Sequence, residues 1–164
     1  MVLICYDGSP DAKAAIDHGA SLLKGEQATV LTIWQPFVNI VAHTPTFGLG
    51  AAAVDSEKID EESLRAAQER TEEGVRLANE AGVQALARVV PQAITTADTI
   101  LAEAEALDAS AIVMGSRGLT GVKSLLLGSV SHAVMQHADR PVIVVPSPEV
   151  ATRRARELRA EERA

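Results

Sequence analysis

Short apolar runs alternate with helical patterns along almost the whole chain, and this alternation limits the fold more than any other feature. Residues 2–6, 29–34, 84–90, 111–114 and 141–145 read as strands, and residues 10–24, 57–81, 96–107 and 129–138 as helices. Strands separated by helices are joined by right-handed crossovers, which give a parallel sheet with helices on both faces. Local punctuation agrees. Pro10 suits a first helical turn, Ala14, Ala15, Ile16, Ala20, Leu22 and Leu23 make an apolar stripe, and Gly25 and Gly82 stop the first two helices. Hydrophobic residues make up 47% of the chain and aromatics only 2%, so the core must be aliphatic, as suits such a sheet. The expectation is an α/β fold: one open, parallel, five-stranded sheet in a single domain, within the reach of 164 residues.

The fourth apolar run ends in Gly115-Ser116-Arg117-Gly118; nine residues later, Gly128-Ser129 opens the next helix. Glycines let the backbone approach a guest closely, and the first amides of a helix have no internal acceptor. Such a loop can cradle an anion, and a phosphate chain is its natural guest. Ser129 offers a hydroxyl and an amide, and Val130 and Ser131 further amides. Arg117 and Lys123 lie inside the loop as candidate phosphate contacts, with solvated surface cations as the alternative. Ligands of open α/β sheets sit beyond the carboxyl ends of the strands, where Asp7 and Gly115 fall. A carboxylate there can accept ribose hydroxyls or help hold a hydrated Mg²⁺. Asp7-Gly8-Ser9-Pro10 is also good turn chemistry, with Ser9 as the expected N-cap.

Taken together, Gly-x2-Gly-x9-Gly-Ser between fourth strand and last helix, Asp7-Gly8-Ser9 after the first strand and the closing run Pro141-Val142-Ile143-Val144-Val145 resemble the universal stress protein family, in its nucleotide-binding, UspA-like subgroup. The resemblance spans residues 2–145. It implies a Rossmann-like, adenine nucleotide alpha hydrolase-like sheet of order 3-2-1-4-5, with the switch point between the first and fourth strands. It implies that Asp7, Gly115, Gly118, Gly128, Ser129, Val130 and Ser131 meet a nucleotide, and that Ile33 and Met114 lie against adenine. ATP, with Mg²⁺ as a companion, is the implied ligand of a regulatory module acting in stress response with slow or no hydrolysis. Residues 1–146 would form the domain and 147–164 a charged tail. Val142, Ile143, Val144 and Val145, an edge strand without a protecting charge, would pair with a second copy. Two alternatives stay open: a nucleotide-independent protein-binding adaptor, and a cyclic AMP binder.

Two departures from the family pattern bear on the ligand. Ile94 stands near where a glycine is common, and a branched residue there is expected to narrow the pocket mouth. Tyr6, just before Asp7, is expected to stack on or crowd the ligand. Residues 35–55 read as a long loop, either a surface excursion or a lid, and residues 146–164 as an exposed or fraying helix.

Other chemistries find no support. The net charge of -7 argues against non-specific nucleic-acid binding. No apolar run approaches the roughly 20 residues needed to span a bilayer. The uncharged lead-in predicts no secretory signal, and the single Cys5 fits a reducing compartment, so a cytoplasmic protein is expected. There is no Gly-x4-Gly-Lys-Ser/Thr, no Gly-x-Gly-x-x-Gly after the first strand and no Gly-x-Ser-x-Gly. The histidines are not grouped as metal ligands or poised as a base; His132, nearest the phosphate motif, reads as a surface or interface residue.

Overall fold

The computed structural model describes residues 1–23, 25–42, 55–119 and 127–161. In chain order the elements are β1 (Val2–Cys5), α1 (Pro10–Leu22), β2 (Gln27–Trp34), α2 (Phe37–Ala42), α3 (Ser56–Glu80), β3 (Gln84–Pro91), α4 (Thr96–Ala106), β4 (Ala111–Gly115), α5 (Ser129–His137), β5 (Val142–Val145) and α6 (Pro148–Glu161). The five strands form one parallel sheet, as the alternation implied, in the order β3-β2-β1-β4-β5, as the resemblance implied.

Side chains alternate across the sheet with the period of two that a strand imposes. Val2 and Ile4 enter a layer with α1 and α3, while Leu3, Leu31 and Ile112 enter a layer with α4 and α5. The helix starts follow ordinary capping chemistry. Ser9, Asp55 and Thr95 accept the amides of Ala12, Lys58 and Asp98, opening α1, α3 and α4. Gly82, at φ +88, lets the chain leave α3 in the left-handed region, and the Val83 amide donates to Ala78 over 2.9 Å.

Three expectations need revision. Residues 35–55 are not a plain loop, because α2 begins two residues after β2. Its Val38, Ile40 and Val41 are poor helix formers, so it gives no local signal. Tertiary contacts hold it: the Phe37 amide donates to Asp60 Oδ1 over 2.6 Å, and Asn39 Nδ2 to the Gln92 carbonyl. The lid expectation falls on residues 43–54, outside the described residues. The tail is not merely an exposed helix either, since Ser147 and Val150 are buried and dock its first turn on the domain.

The third revision concerns Tyr6, which borders the cavity beyond β1. Its ring is committed to the layer of α1 and α3, and its hydroxyl donates to Glu73 Oε2 over 2.8 Å. Lys13 Nζ holds the other oxygen of Glu73, also at 2.8 Å. Gly74 makes room for the ring: a Cβ there would stand 2.9 Å from Tyr6 Cδ1 and from Val30 Cγ1. Alanine normally stabilises a helix interior by about 1 kcal/mol over glycine. Here overpacking, typically costing about 1–3 kcal/mol, opposes that gain. Gly74→Ala should therefore lose roughly 1 kcal/mol in urea unfolding, by the balance of these two effects. Combined with Tyr6→Leu, the loss should be less than the sum of the two single losses.

Candidate functional site

A cavity of ≈ 490 Å³ opens beyond the carboxyl ends of β1 and β4, at the point where the strand order reverses. Its apolar wall is Leu31, Ile33, Ile100 and Met114, with Gln35, Gln92 and Thr96 beside it. Across from these come Asp7, Gly115, Arg117, Gly118, Leu119 and the run Gly128, Ser129, Val130 and Ser131. Residues expected separately from β1, β2, β4 and α5 thus line one space. Lys123 lies outside the described residues.

The phosphate-type half of the site is built from backbone. The Ser116 amide donates to the Val145 carbonyl over 2.8 Å, which anchors the loop to the end of β5. The Ser116 carbonyl accepts the Gly128 amide at 2.7 Å and the Ser131 hydroxyl at 2.8 Å, drawing the two ends of the loop together. Ser131 therefore spends its hydroxyl inside the protein and has its amide to offer. α5 differs from α1, α3 and α4 in its N-cap, because Gly128 makes no side-chain hydrogen bond to the helix start. The amides of Ser129, Val130 and Ser131, which have no intrahelical acceptor, keep their anion-binding capacity.

Asp7 ties the first strand to this loop. Its Oδ1 accepts the Ser9 amide at 3.0 Å and its Oδ2 the Leu119 amide at 3.2 Å. The turn role and the position on the cavity wall thus coexist. Gly118 is small for a local reason, since a Cβ there would stand 2.7 Å from Asp7 Oδ2. Beneath Asp7, burial first and the Asp7 charge second push the Cys5 thiol up to about 12, so it stays protonated at neutral pH.

Asp11 and Arg70 escaped the sequence analysis. Asp11, in the first turn of α1, is buried, and its Oδ2 accepts the Ser116 hydroxyl at 2.6 Å. Arg117 Nε lies 3.6 Å from the same oxygen. Burial pulls the Asp11 carboxyl up, but the hydrogen bonds from Ser116 and Ser147 and the Arg117 charge together outweigh it and hold the group below its ordinary range. The Arg117 side chain is only 14% exposed and its Nε makes no hydrogen bond among the described residues. Arg117 is thus a cation already facing a carboxylate rather than a solvated loop residue. An acidic residue in a first helical turn reads as ordinary dipole chemistry, and nothing local announces a partner 105 positions away. Arg70, in the middle of α3, lines the cavity from the side of Gly8, where the backbone has φ +82.

Ile94 does not line the main cavity. It is 78% exposed and lines a neighbouring hollow with Asn39, Ile40 and Thr95. His132 is exposed on α5, and no histidine lines the main cavity among the described residues. Those residues also contain no group of three or more His, Cys, Asp or Glu able to hold a metal, and no helix long and apolar enough to cross a membrane. An apolar slot, an uncapped helix start and a carboxylate suit binding of a flat base, a phosphate and a sugar.

Comparison with known proteins identifies the family. Residues 1–146 match the model of the Universal stress protein family. The chain is 35% identical over 150 residues to universal stress protein YxiE of Bacillus subtilis, covering 88% of this chain and 97% of the relative. Among solved structures, UspA from Lactobacillus plantarum superposes with a TM-score of 0.69 at 18% identity, covering 88% of this chain and 95% of that one. A universal stress protein from Archaeoglobus fulgidus in complex with dAMP gives 0.59 at 21% identity, covering 88% and 95%. Another universal stress protein, in complex with cAMP, gives 0.57 at 21% identity, covering 89% and 95%.

Proposed function

The chain belongs to the universal stress protein family, and from that premise we propose that its main cavity binds an adenine nucleotide, with ATP as the leading ligand. One observation carries this reading: the uncapped start of α5, the glycine loop and the apolar wall of Ile33 and Met114 meet in one cavity at the switch point. The dAMP and cAMP complexes of proteins with the same fold support the ligand class. Ile33 and Met114 would wall the base, Asp7 accept ribose hydroxyls or hold a hydrated Mg²⁺, and the amides of Gly118, Ser129, Val130 and Ser131 receive phosphate. Gly115, Gly128 and Arg117 shape the loop that presents these groups. Hydrolysis, with no histidine on the cavity wall among the described residues, would be slow or absent. The protein would act as a regulatory module of stress response, with residues 1–146 as its domain and 147–164 as an appended tail. Its Val142–Val145 strand ends the sheet and would pair with a second copy.

Isothermal titration with ATP and Mg²⁺ tests the binding, with cyclic AMP as competitor. Gly118→Val is the companion variant, because its side chain would displace Asp7 Oδ2 at an exposed position. It should weaken ATP binding about tenfold or more, a loss of about 1.4 kcal/mol or more, while the unfolding curve stays near wild type. Failure of folded, nucleotide-free wild type to bind ATP or cyclic AMP would overturn the reading and favour an adaptor. Sedimentation at micromolar concentration should find a dimer; a monomer alone would contradict the pairing strand.

A further inference from the structure

Arg70 is set apart from the other arginines of residues 1–146. Arg65, Arg76, Arg88, Arg117 and Arg140 pair with Glu69, Glu80, Glu103, Asp11 and Asp139 respectively. Arg70 has no acidic partner among the described residues, although the chain carries 22 acidic residues against 15 basic ones. Its neighbours one turn away on α3 are Ala66 and Gly74, and Glu73, three positions on, is held by Lys13 and Tyr6. Residues 43–54 and 120–126, outside the described residues, carry no Asp or Glu, whereas 162–164 include Glu162. The side chain is half-buried, and its Cγ and Cδ would lie 3.3 Å from a Cβ at Gly8, so glycine leaves room for its stem. A guanidinium with no acidic partner among the described residues, held against a cavity wall on an acidic protein, is suited to an anion from outside.

The position says which anion. Ile100 and Met114, on the apolar wall, belong to the layer of α4 and α5, whereas α3 packs on the opposite face of the sheet. The cavity therefore crosses the carboxyl edge of the sheet, from the base wall, past the glycine loop, to Arg70. Resting on the nucleotide reading above, we infer that Arg70 is a specificity-determining residue that takes the phosphates farthest from the base, so that the site ranks ligands by phosphate number. A nucleoside monophosphate seated on the base wall places its one phosphate at the amides of α5 and leaves Arg70 unused. A triphosphate continues across the edge, and Arg70 offsets the Asp7 carboxylate that it must pass.

Titration of adenosine, AMP, ADP and ATP at fixed ionic strength into wild type, Arg70→Ala and Arg70→Lys tests this. Charge-assisted hydrogen bonds of this kind predict ATP affinity about tenfold or more lower in Arg70→Ala, with AMP changed by less than about twofold. Arg70→Lys should recover part of the loss, keeping the charge without the planar fork. Equal losses for ATP and AMP would reduce Arg70 to a structural role and overturn the inference, as would unchanged ATP affinity in a folded Arg70→Ala protein. The nucleotide reading would survive either result. Wild type that bound none of the four ligands would instead remove that reading, and this inference with it.

Discussion

Gly115→Ala is expected to destabilise the protein by about 3 kcal/mol, at the upper end of ordinary overpacking costs. A Cβ at Gly115 would stand 2.7 Å from the Asp11 carbonyl carbon, 2.8 Å from the Ala12 nitrogen and 2.8 Å from Asp11 Cβ. Most of these are backbone atoms, and the turn they belong to cannot yield easily. Ser9 caps it through the Ala12 amide, and Asp11 is fixed to Ser116. The midpoint of thermal unfolding should fall by roughly 6–12 °C, given about 2–4 °C per kcal/mol for a chain of this size. An unchanged midpoint would mean that α1 moves away from β4 more freely than its hydrogen bonds suggest. The first glycine of the phosphate-type loop thus serves close packing of β4 on α1. Lost ligand binding in a Gly115 variant would therefore report lost folding as readily as a lost contact. Gly118, which meets only the Asp7 side chain, separates the two effects.

Asp11→Ala should be comparably severe, at about 3 kcal/mol near neutral pH, the order expected when one partner of a buried ion pair is removed. The substitution leaves Arg117, 14% exposed on its side chain, without its carboxylate, and strands the buried Ser116 hydroxyl. It also cuts the link to Ser147, and so loosens the docking of α6 beside the loop. The pH dependence is distinctive. Because the folded-state carboxyl titrates below its ordinary value, its stabilisation is complete above the unfolded value of about 4 and fades as pH falls through the folded one. Urea unfolding should show the gap between wild type and Asp11→Ala shrinking as the solution is acidified below about pH 4. A gap that held constant through that range would mean that the Asp11 charge contributes nothing and that only its packing matters.

Asp11 also marks the limit of what could be read from the chain. The strands, the helices on both faces and the glycine loop are legible because their signals are contiguous: periodicity within an element, or Gly115 to Ser129 within one stretch. Asp7 was reachable because strand ends gather at the switch point of such a sheet, and Ile33 and Met114 through the family resemblance. Side chains that enter from the flank of a helix leave no such trace. Asp11 and Arg70 reach the loop and cavity only through the crossovers that pack α1 and α3 on the sheet, and each looks locally like an ordinary surface charge. The reversal at Tyr6 has the same origin. Its direction depends on Gly74 in another element, a pairing that neither residue announces. α2 was hidden by β-branched residues, held in a helix with the help of contacts to Asp60 and Gln92.

Binding of an adenine nucleotide in the cavity at the switch point can be read residue by residue from amide and methyl NMR of the labelled protein titrated with ATP and Mg²⁺. Saturable shifts should centre on the amides of Gly118, Ser129, Val130 and Ser131, with matching shifts of the Ile33 and Met114 methyls. A spectrum unmoved by ATP, or shifts gathered on another face of the protein while these positions stay still, would contradict it.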